Sequence, residues 1–168
     1  MTFIVLDANP VQSANRLCWL DCESAAFDGA RIIVSAFKHH GGDITELGFE
    51  PKEEHPLIRF ALVSRENARW LMRYTRAATI KWGKEHKMED YKSLMMKMNV
   101  IASKIDVLIP QGQQQTLFGN FYIGENNQLD FTETSIESNR AYYEQTRKHL
   151  FWGDENPNKY YNGISDEE

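Results

Sequence analysis

The residue with the most distinctive chemistry is Thr2, next to the initiator methionine. Because threonine is small, we expect removal of Met1 to leave Thr2 with a free α-amine. The unperturbed pKa of such an amine is about 8, so part of it is neutral at physiological pH. A neutral amine can attack a sugar aldehyde carbon and form a Schiff base. The alternative is that Thr2 is only a flexible chain end.

Carboxylates that could assist this amine lie on the first long predicted helix. Amine chemistry needs a nearby carboxylate to handle the proton and to stabilise the developing positive charge. The acidic residues of that helix are Asp21, Glu23 and Asp28. We therefore predict catalytic roles for Thr2, Glu23 and Asp28.

A row of arginines in the middle of the chain could contact phosphate. The arginine row consists of Arg65, Arg69, Arg73 and Arg76. Spacings of four, four and three residues place these side chains on one face of a helix. Guanidinium groups match the oxygens of phosphate. The alternative is an ordinary solvated helix face, because runs of like charge are usually exposed to water.

The only two cysteines, Cys18 and Cys22, lie four residues apart on one helical face. Helix geometry directs their Cβ atoms unfavourably for a disulfide bond. A zinc site completed by Asp21 and nearby histidines would need a second paired motif, which the sequence lacks. We predict buried or half-buried free thiols, no metal and no other cofactor.

Helices must position these groups. The pair Asn9-Pro10 predicts a helix start, and the pattern that follows predicts a helix over 11–37, with a kink or short break near Cys22 as the alternative. Further helices are predicted over 65–86, which carries the arginine row, and over 89–104. The polar stretch 40–54 is predicted to be a loop, and loops of this length are often functional.

The fold class predicted from this pattern is mainly α, a single-domain helical bundle. Apolar residues recur at helical spacing in each long helix. The predicted core positions are Ala26, Ala30, Ile33, Phe37, Leu71, Tyr74, Ala78, Trp82, Leu94, Met98, Ile101 and Ile105. A small β-hairpin is predicted near 116–132, and a last helix is predicted to end near Leu150. We expect one domain over 1–153, followed by a loose acidic tail over 154–168.

Composition is that of a water-soluble chain with an uneven charge distribution. Of the 168 residues, 42% are hydrophobic and 26% are charged, and no apolar run is long enough to span a membrane. We expect a cytoplasmic protein without a membrane partner. The net charge of −5 argues against tight nucleic-acid binding, but residues 51–100 carry 11 basic and 6 acidic side chains. The acidic ends would also suit a protein that repels or imitates DNA.

Parts of the chain resemble the pyrimidine-dimer DNA glycosylases of the phage endonuclease V type. Met1-Thr2 resembles their start, and Trp19 with Glu23 resembles a Trp-Arg-Glu helix that carries their catalytic glutamate. The segment 55–60, His-Pro-Leu-Ile-Arg-Phe, is similar to a His-Pro-x-Leu-x-Arg-Phe element of bacterial relatives. The resemblance implies a small helical hydrolase that uses an N-terminal amine on DNA.

A second resemblance, to a family of uncharacterised phage proteins, covers most of the chain. The matching segments are 5–10 (Val-Leu-Asp-Ala-Asn-Pro), 64–67 (Ser-Arg-Glu-Asn), 70–71 (Trp-Leu), 82–87 (Trp-Gly-Lys-Glu-His-Lys) and 141–143 (Ala-Tyr-Tyr). This resemblance implies a bacteriophage protein that works in the cytoplasm of a host cell.

We therefore expect a phage protein that acts on DNA bases by glycosylase-like or base-modifying chemistry. Thr2 would attack the sugar of an extruded nucleotide, and Glu23 would assist. The residues expected to contact DNA are the arginine row, Arg59, His55 and Trp19, although for Trp19 packing in the core is the alternative to stacking on a base. The other function that stays open is a catalytically degenerate relative that binds and inhibits a host protein.

Overall fold

The computed structural model describes residues 5–84, 86–112, 122–123, 129–130, 140 and 143. This part of the chain is mainly α-helical, as the sequence predicts. Its helices are α1 (Pro10–Asn15), α2 (Trp19–His39), α3 (Pro56–Val63), α4 (Arg65–Gly83) and α5 (Met88–Leu108). Thr2 lies outside the described residues.

Three of these helices begin at side chains that cap them. Asn9, His55 and Ser64 each accept a hydrogen bond from a backbone N–H of the first turn, at 3.0–3.2 Å. Pro10 and Pro56 follow their caps as the first helical residues, where the missing N–H costs nothing. Local sequence therefore determines where α1, α3 and α4 start.

The single helix predicted over 11–37 is in fact two helices. The chain leaves the helical conformation after Asn15, and Cys18 is extended at φ −68° and ψ 164° before α2 begins. The backbone N–H of Cys18 donates to the hydroxyl oxygen of Tyr143 at 2.6 Å. Because this acceptor comes from 125 residues further along the chain, the local sequence does not show that the break lies before α2 rather than near Cys22.

The centre of the bundle is formed by α2 and α4. Helix α4 packs against each of the other four described helices. All twelve predicted core positions are buried, which confirms the predicted faces of α2, α4 and α5. At the closest approach, Gly29 of α2 faces Thr75 of α4, and a Cβ atom at Gly29 would lie 2.0 Å from Thr75 Oγ1.

One residue from late in the chain, Arg140, helps to fix the N-terminal segment. Arg140 Nε donates to the carbonyl of Leu6 at 2.6 Å, and Arg140 Nη2 pairs with Asp7 Oδ2 at 2.8 Å. Arg16 Nε lies 3.4 Å from the same oxygen of Asp7. The start of the described chain is therefore held by Arg140, about 130 residues away, and by Arg16, which follows α1 directly.

Two short strands, Tyr122–Ile123 and Leu129–Asp130, pair in antiparallel orientation. The other residues of the hairpin predicted near 116–132 lie outside the described part, so the hairpin stays a prediction. The same holds for the tail 154–168 and for most of the last predicted helix. None of the described helices combines the length and apolarity needed to cross a membrane.

Candidate functional site

Helix α2 carries both predicted catalytic carboxylates, in different environments. Glu23 is exposed, whereas Asp28 is only 7% exposed. Five residues along an α-helix rotate the side-chain direction by about 140°. The two carboxylates therefore lie on different sides of α2 and do not converge on one reacting group.

Asp28 is already neutralised by two cations. Lys52 Nζ lies 2.9 Å from Asp28 Oδ2, and Arg31 lies 3.6 Å from Oδ1. The loop that contains Lys52 makes two further hydrogen bonds with α2. Arg31 Nε donates to the carbonyl of Glu50 at 3.0 Å, and Ser35 Oγ donates to the carbonyl of Lys52 at 2.9 Å. This arrangement favours a structural role for Asp28, which attaches the loop 41–55 to the bundle.

His55 lies next to this ion pair and begins α3. Burial and, to a smaller extent, the nearby charge of Lys52 lower the pKa of His55 to about 4, against the opposing effect of Asp28. His55 is therefore neutral at pH 7, which suits its ring Nδ1 as the acceptor of the Leu57 N–H at 3.2 Å. A neutral cap contributes no positive charge to phosphate binding.

Trp19 stacks on a histidine. The rings of Trp19 and His86 are nearly parallel, at 7°, with centroids 5.4 Å apart, and His86 stacks in turn on Trp82 at 3.9 Å. Among the described residues, neither indole N–H has a hydrogen-bond acceptor. Glu23 lies one helical turn from Trp19, on the same side of α2. His86 therefore already stacks on the ring that was predicted to stack on a base, and the sequence pattern did not predict this neighbour.

Asp106 divides the arginine row. Arg69 donates to Asp106 Oδ1 through Nε at 3.0 Å and lies within 2.7 Å of it through Nη2, and it also pairs with Glu66. Arg65 Nε donates to the carbonyl of Ile109 at 3.2 Å and lies 3.8 Å from Asp106. The hydrogen bond from Arg69 holds the pKa of Asp106 below its usual value. The first half of the row is therefore occupied by groups of the protein itself.

The second half of the row has a different environment. Arg73 is exposed and Arg76 is half-buried, and neither has an ion pair or hydrogen bond to another described residue. Arg59, on α3, is likewise exposed and has no such partner in this part of the chain. Their guanidinium donors are available to a ligand.

The two cysteines are buried and unbridged, as predicted. Burial raises the pKa of Cys22 to about 12 and also raises the pKa of Cys18. Both thiols are therefore protonated at pH 7 and are poor nucleophiles. Across the residues that the structure describes, no three His, Cys, Asp or Glu side chains group together as a possible metal site.

Comparison of the chain with family models, with curated proteins and with solved structures found no match. Its function is therefore inferred from its own residues. The structure brings Asp28 and His55 together at the loop, and places Trp19 and Glu23 on another side of α2. The arginine row lies on α4, and its hydrogen bonds and ion pairs to described residues involve Glu66, Asp106 and Ile109 rather than either pair. The sequence pattern did not predict that Asp106 contacts Arg69, which lies 37 residues earlier in the chain. The available signal was the short connection between α4 and α5, which predicts that the two helices pack side by side.

Proposed function

We propose that this protein binds nucleic acid through the outer face of α4, with Arg73 and Arg76 in contact with phosphates. The observation that carries the proposal is that these two cations have no carboxylate partner in the described part of the chain. Arginine donors that are not already bound to a carboxylate can form paired hydrogen bonds to phosphate oxygens.

The charge around the arginine row supports this proposal. The segment 65–108, which contains α4 and α5, has ten Lys and Arg residues and five Asp and Glu residues, a net charge of +5 in a chain of −5. A local positive surface attracts a polyanion, and the acidic remainder repels it. We therefore infer that nucleic acid approaches from the α4–α5 side.

The test is the double variant Arg73→Gln/Arg76→Gln. Each phosphate contact contributes about 0.9 to the slope of log K against log salt for duplex DNA. We expect the slope to fall by about 2, and the affinity to fall about 10- to 100-fold at 0.1 M salt. Fluorescence anisotropy with a labelled 20-base-pair duplex, over a series of KCl concentrations, measures both quantities.

Lys38→Gln is the control for single substitutions, because Lys38 is an exposed cation in the last turn of α2. Each arginine variant should weaken binding, whereas Lys38→Gln should leave it unchanged. Equal losses in all the variants would show that only net charge matters, and would contradict the proposal. Arg59→Gln shows whether the binding surface extends to α3.

Base-directed chemistry is the second part of the proposal, and it depends on Thr2 and Glu23. It follows the resemblance to the glycosylases, and it omits Asp28 because Lys52 already binds that carboxylate. The α-nitrogen of Thr2 would attack the aldehyde carbon of an opened abasic sugar, water would leave, and an imine would form. Glu23 would assist the proton transfers.

Borohydride tests this chemistry, because it reduces such an imine to a stable amine. With an authentic N-terminus and abasic DNA, we expect a covalent adduct whose mass maps to the N-terminal peptide. Glu23→Gln should decrease its rate of formation by about 10²- to 10⁴-fold. The absence of an adduct over a set of damaged duplexes would contradict the catalytic part while leaving DNA binding in place.

A protein partner is the second candidate function, and one observation favours it. Helix α5 exposes apolar side chains on its outer face: Met96 is 70% exposed, Val100 45% and Val107 80%. Exposed apolar side chains that share one face are typical of a surface that binds another protein. In that case the wild type and Arg73→Gln/Arg76→Gln would bind DNA equally weakly.

A further inference from the structure

Asp106 occupies a particular place in the arginine row. It lies near the end of α5, opposite the first turns of α4, where the two helices run antiparallel. Arg69 brings two nitrogen atoms to one oxygen of Asp106, at 3.0 and 2.7 Å, and Arg65 Nε is 3.8 Å from the same oxygen. One carboxylate therefore binds or faces two of the four guanidinium groups in the row.

This contact is open to competition. The side chains of Asp106 and Arg69 are 55% and 39% exposed, so a ligand can approach the ion pair from solvent. A phosphate group would offer Arg69 the same kind of oxygen acceptor that Asp106 offers. The carboxylate and the phosphate therefore compete for the same donors.

We propose that Asp106 is an internal competitor that limits how many phosphates the arginine row can bind. This inference rests on the proposed nucleic-acid binding by α4. With Asp106 in place, only the half formed by Arg73 and Arg76 binds phosphate. When the charge of Asp106 is removed, the first half of the row joins the binding surface.

The length of the row indicates how much this adds. Arg65 and Arg76 are 11 residues apart, a distance of about 17 Å along the helix axis. Duplex DNA of that length carries about ten phosphates, so a longer cationic row can contact more of them. Loss of the Asp106 charge would free only the terminal nitrogens of Arg65, because its Nε also donates to the carbonyl of Ile109. Arg69 would still be paired with Glu66. We therefore expect a gain of one to two phosphate contacts.

The test is Asp106→Asn, which removes the charge and keeps the size of an exposed side chain. In the anisotropy titration of a 20-base-pair duplex against KCl, we expect tighter binding, about 5- to 50-fold at 0.1 M salt. The slope of log K against log salt should steepen by about one to two. Unfolding in urea, followed by circular dichroism, verifies that the variant is folded.

Asp90→Asn is the matched control. Asp90 is an exposed acidic residue in the first turn of α5, with no ion pair to another described residue, and its substitution changes the net charge equally. It should leave the slope unchanged. A second variant, Arg69→Gln, tests the contribution of Arg69. In the wild-type background it should leave the slope of log K against log salt unchanged. In the Asp106→Asn background, Arg69→Gln should remove about half of the increase in slope.

The outcomes for the two proposals are separate. Equal slopes for Asp106→Asn and Asp90→Asn, with a wild type that binds, would overturn the competitor and leave the proposed function intact. Binding by Asp106→Asn alone would support the competitor and overturn DNA binding by the wild type. Binding by neither protein would overturn both.

Discussion

Gly29→Ala is expected to destabilise the protein by about 1–3 kcal/mol, as overpacking of a tight core does. In an exposed helix the same change would stabilise by up to about 1 kcal/mol, because alanine has the higher helix propensity. Here the added methyl group would lie 2.0 Å from Thr75 Oγ1 and 3.0 Å from Thr75 Cβ. Helices α2 and α4 would have to move apart at the centre of the bundle. Urea unfolding followed by circular dichroism measures the change in the free energy of unfolding.

Thr75→Ala provides the control for this prediction. Thr75 Oγ1 is buried and has no hydrogen-bond partner within the described structure, so its removal leaves no donor or acceptor unpaired. In the double variant Gly29→Ala/Thr75→Ala, the new methyl group would occupy part of the space that the threonine side chain leaves. We expect most of the lost stability to return. A double variant no more stable than Gly29→Ala would show that Thr75 is not the cause.

Asp28→Asn is expected to destabilise the protein by about 2–4 kcal/mol. Breaking a buried ion pair by removing one partner typically costs about 3–5 kcal/mol, and the 20% exposure of the Lys52 side chain reduces this cost. The amide would leave Lys52 close to Arg31 with no carboxylate between the two cations. Urea unfolding measures the stability, and limited proteolysis within 41–55 detects release of the loop.

Glu23→Gln is the matched control on the same helix, because it removes one negative charge from an exposed side chain. Surface substitutions of this kind usually change stability by less than about 0.5 kcal/mol. In addition, Lys52→Met in the Asp28→Asn background should recover part of the loss, since it removes the unpaired cation. If Asp28→Asn were as stable as Glu23→Gln, the ion pair would not be what attaches the loop.

The features that the sequence predicted are those determined over a few residues. Ser64 caps α4 by accepting a hydrogen bond from the backbone N–H of Asn67, only three residues later. The core face of α5 is visible in the sequence as an apolar repeat. The start of α1 follows from Asn9 and Pro10. Each of these signals depends on helix geometry alone, so no tertiary contact is needed to recognise it.

The features that the sequence did not predict depend on residues far apart in the chain. The break before α2 is fixed by Tyr143, and the division of the arginine row is fixed by Asp106. Spacing predicted that the four arginines share a face, but not which of them meet a carboxylate from another helix. The pairing of Asp28 with Lys52 likewise depends on how the loop folds back, which composition does not reveal.

The contact between Arg140 and Asp7 has a consequence for the order of folding. A chain that is still being synthesised can pack α1 to α5 together before Arg140 leaves the ribosome. Closing a loop of 133 residues costs about 2 kcal/mol more chain entropy than closing the 19-residue loop between Arg31 and Glu50. The contacts of Arg140 therefore form after the contacts that the same segment makes with earlier residues, such as Leu6 N–H to Ser13 Oγ at 2.9 Å and Trp70 Nε1 to the carbonyl of Ala8 at 2.8 Å.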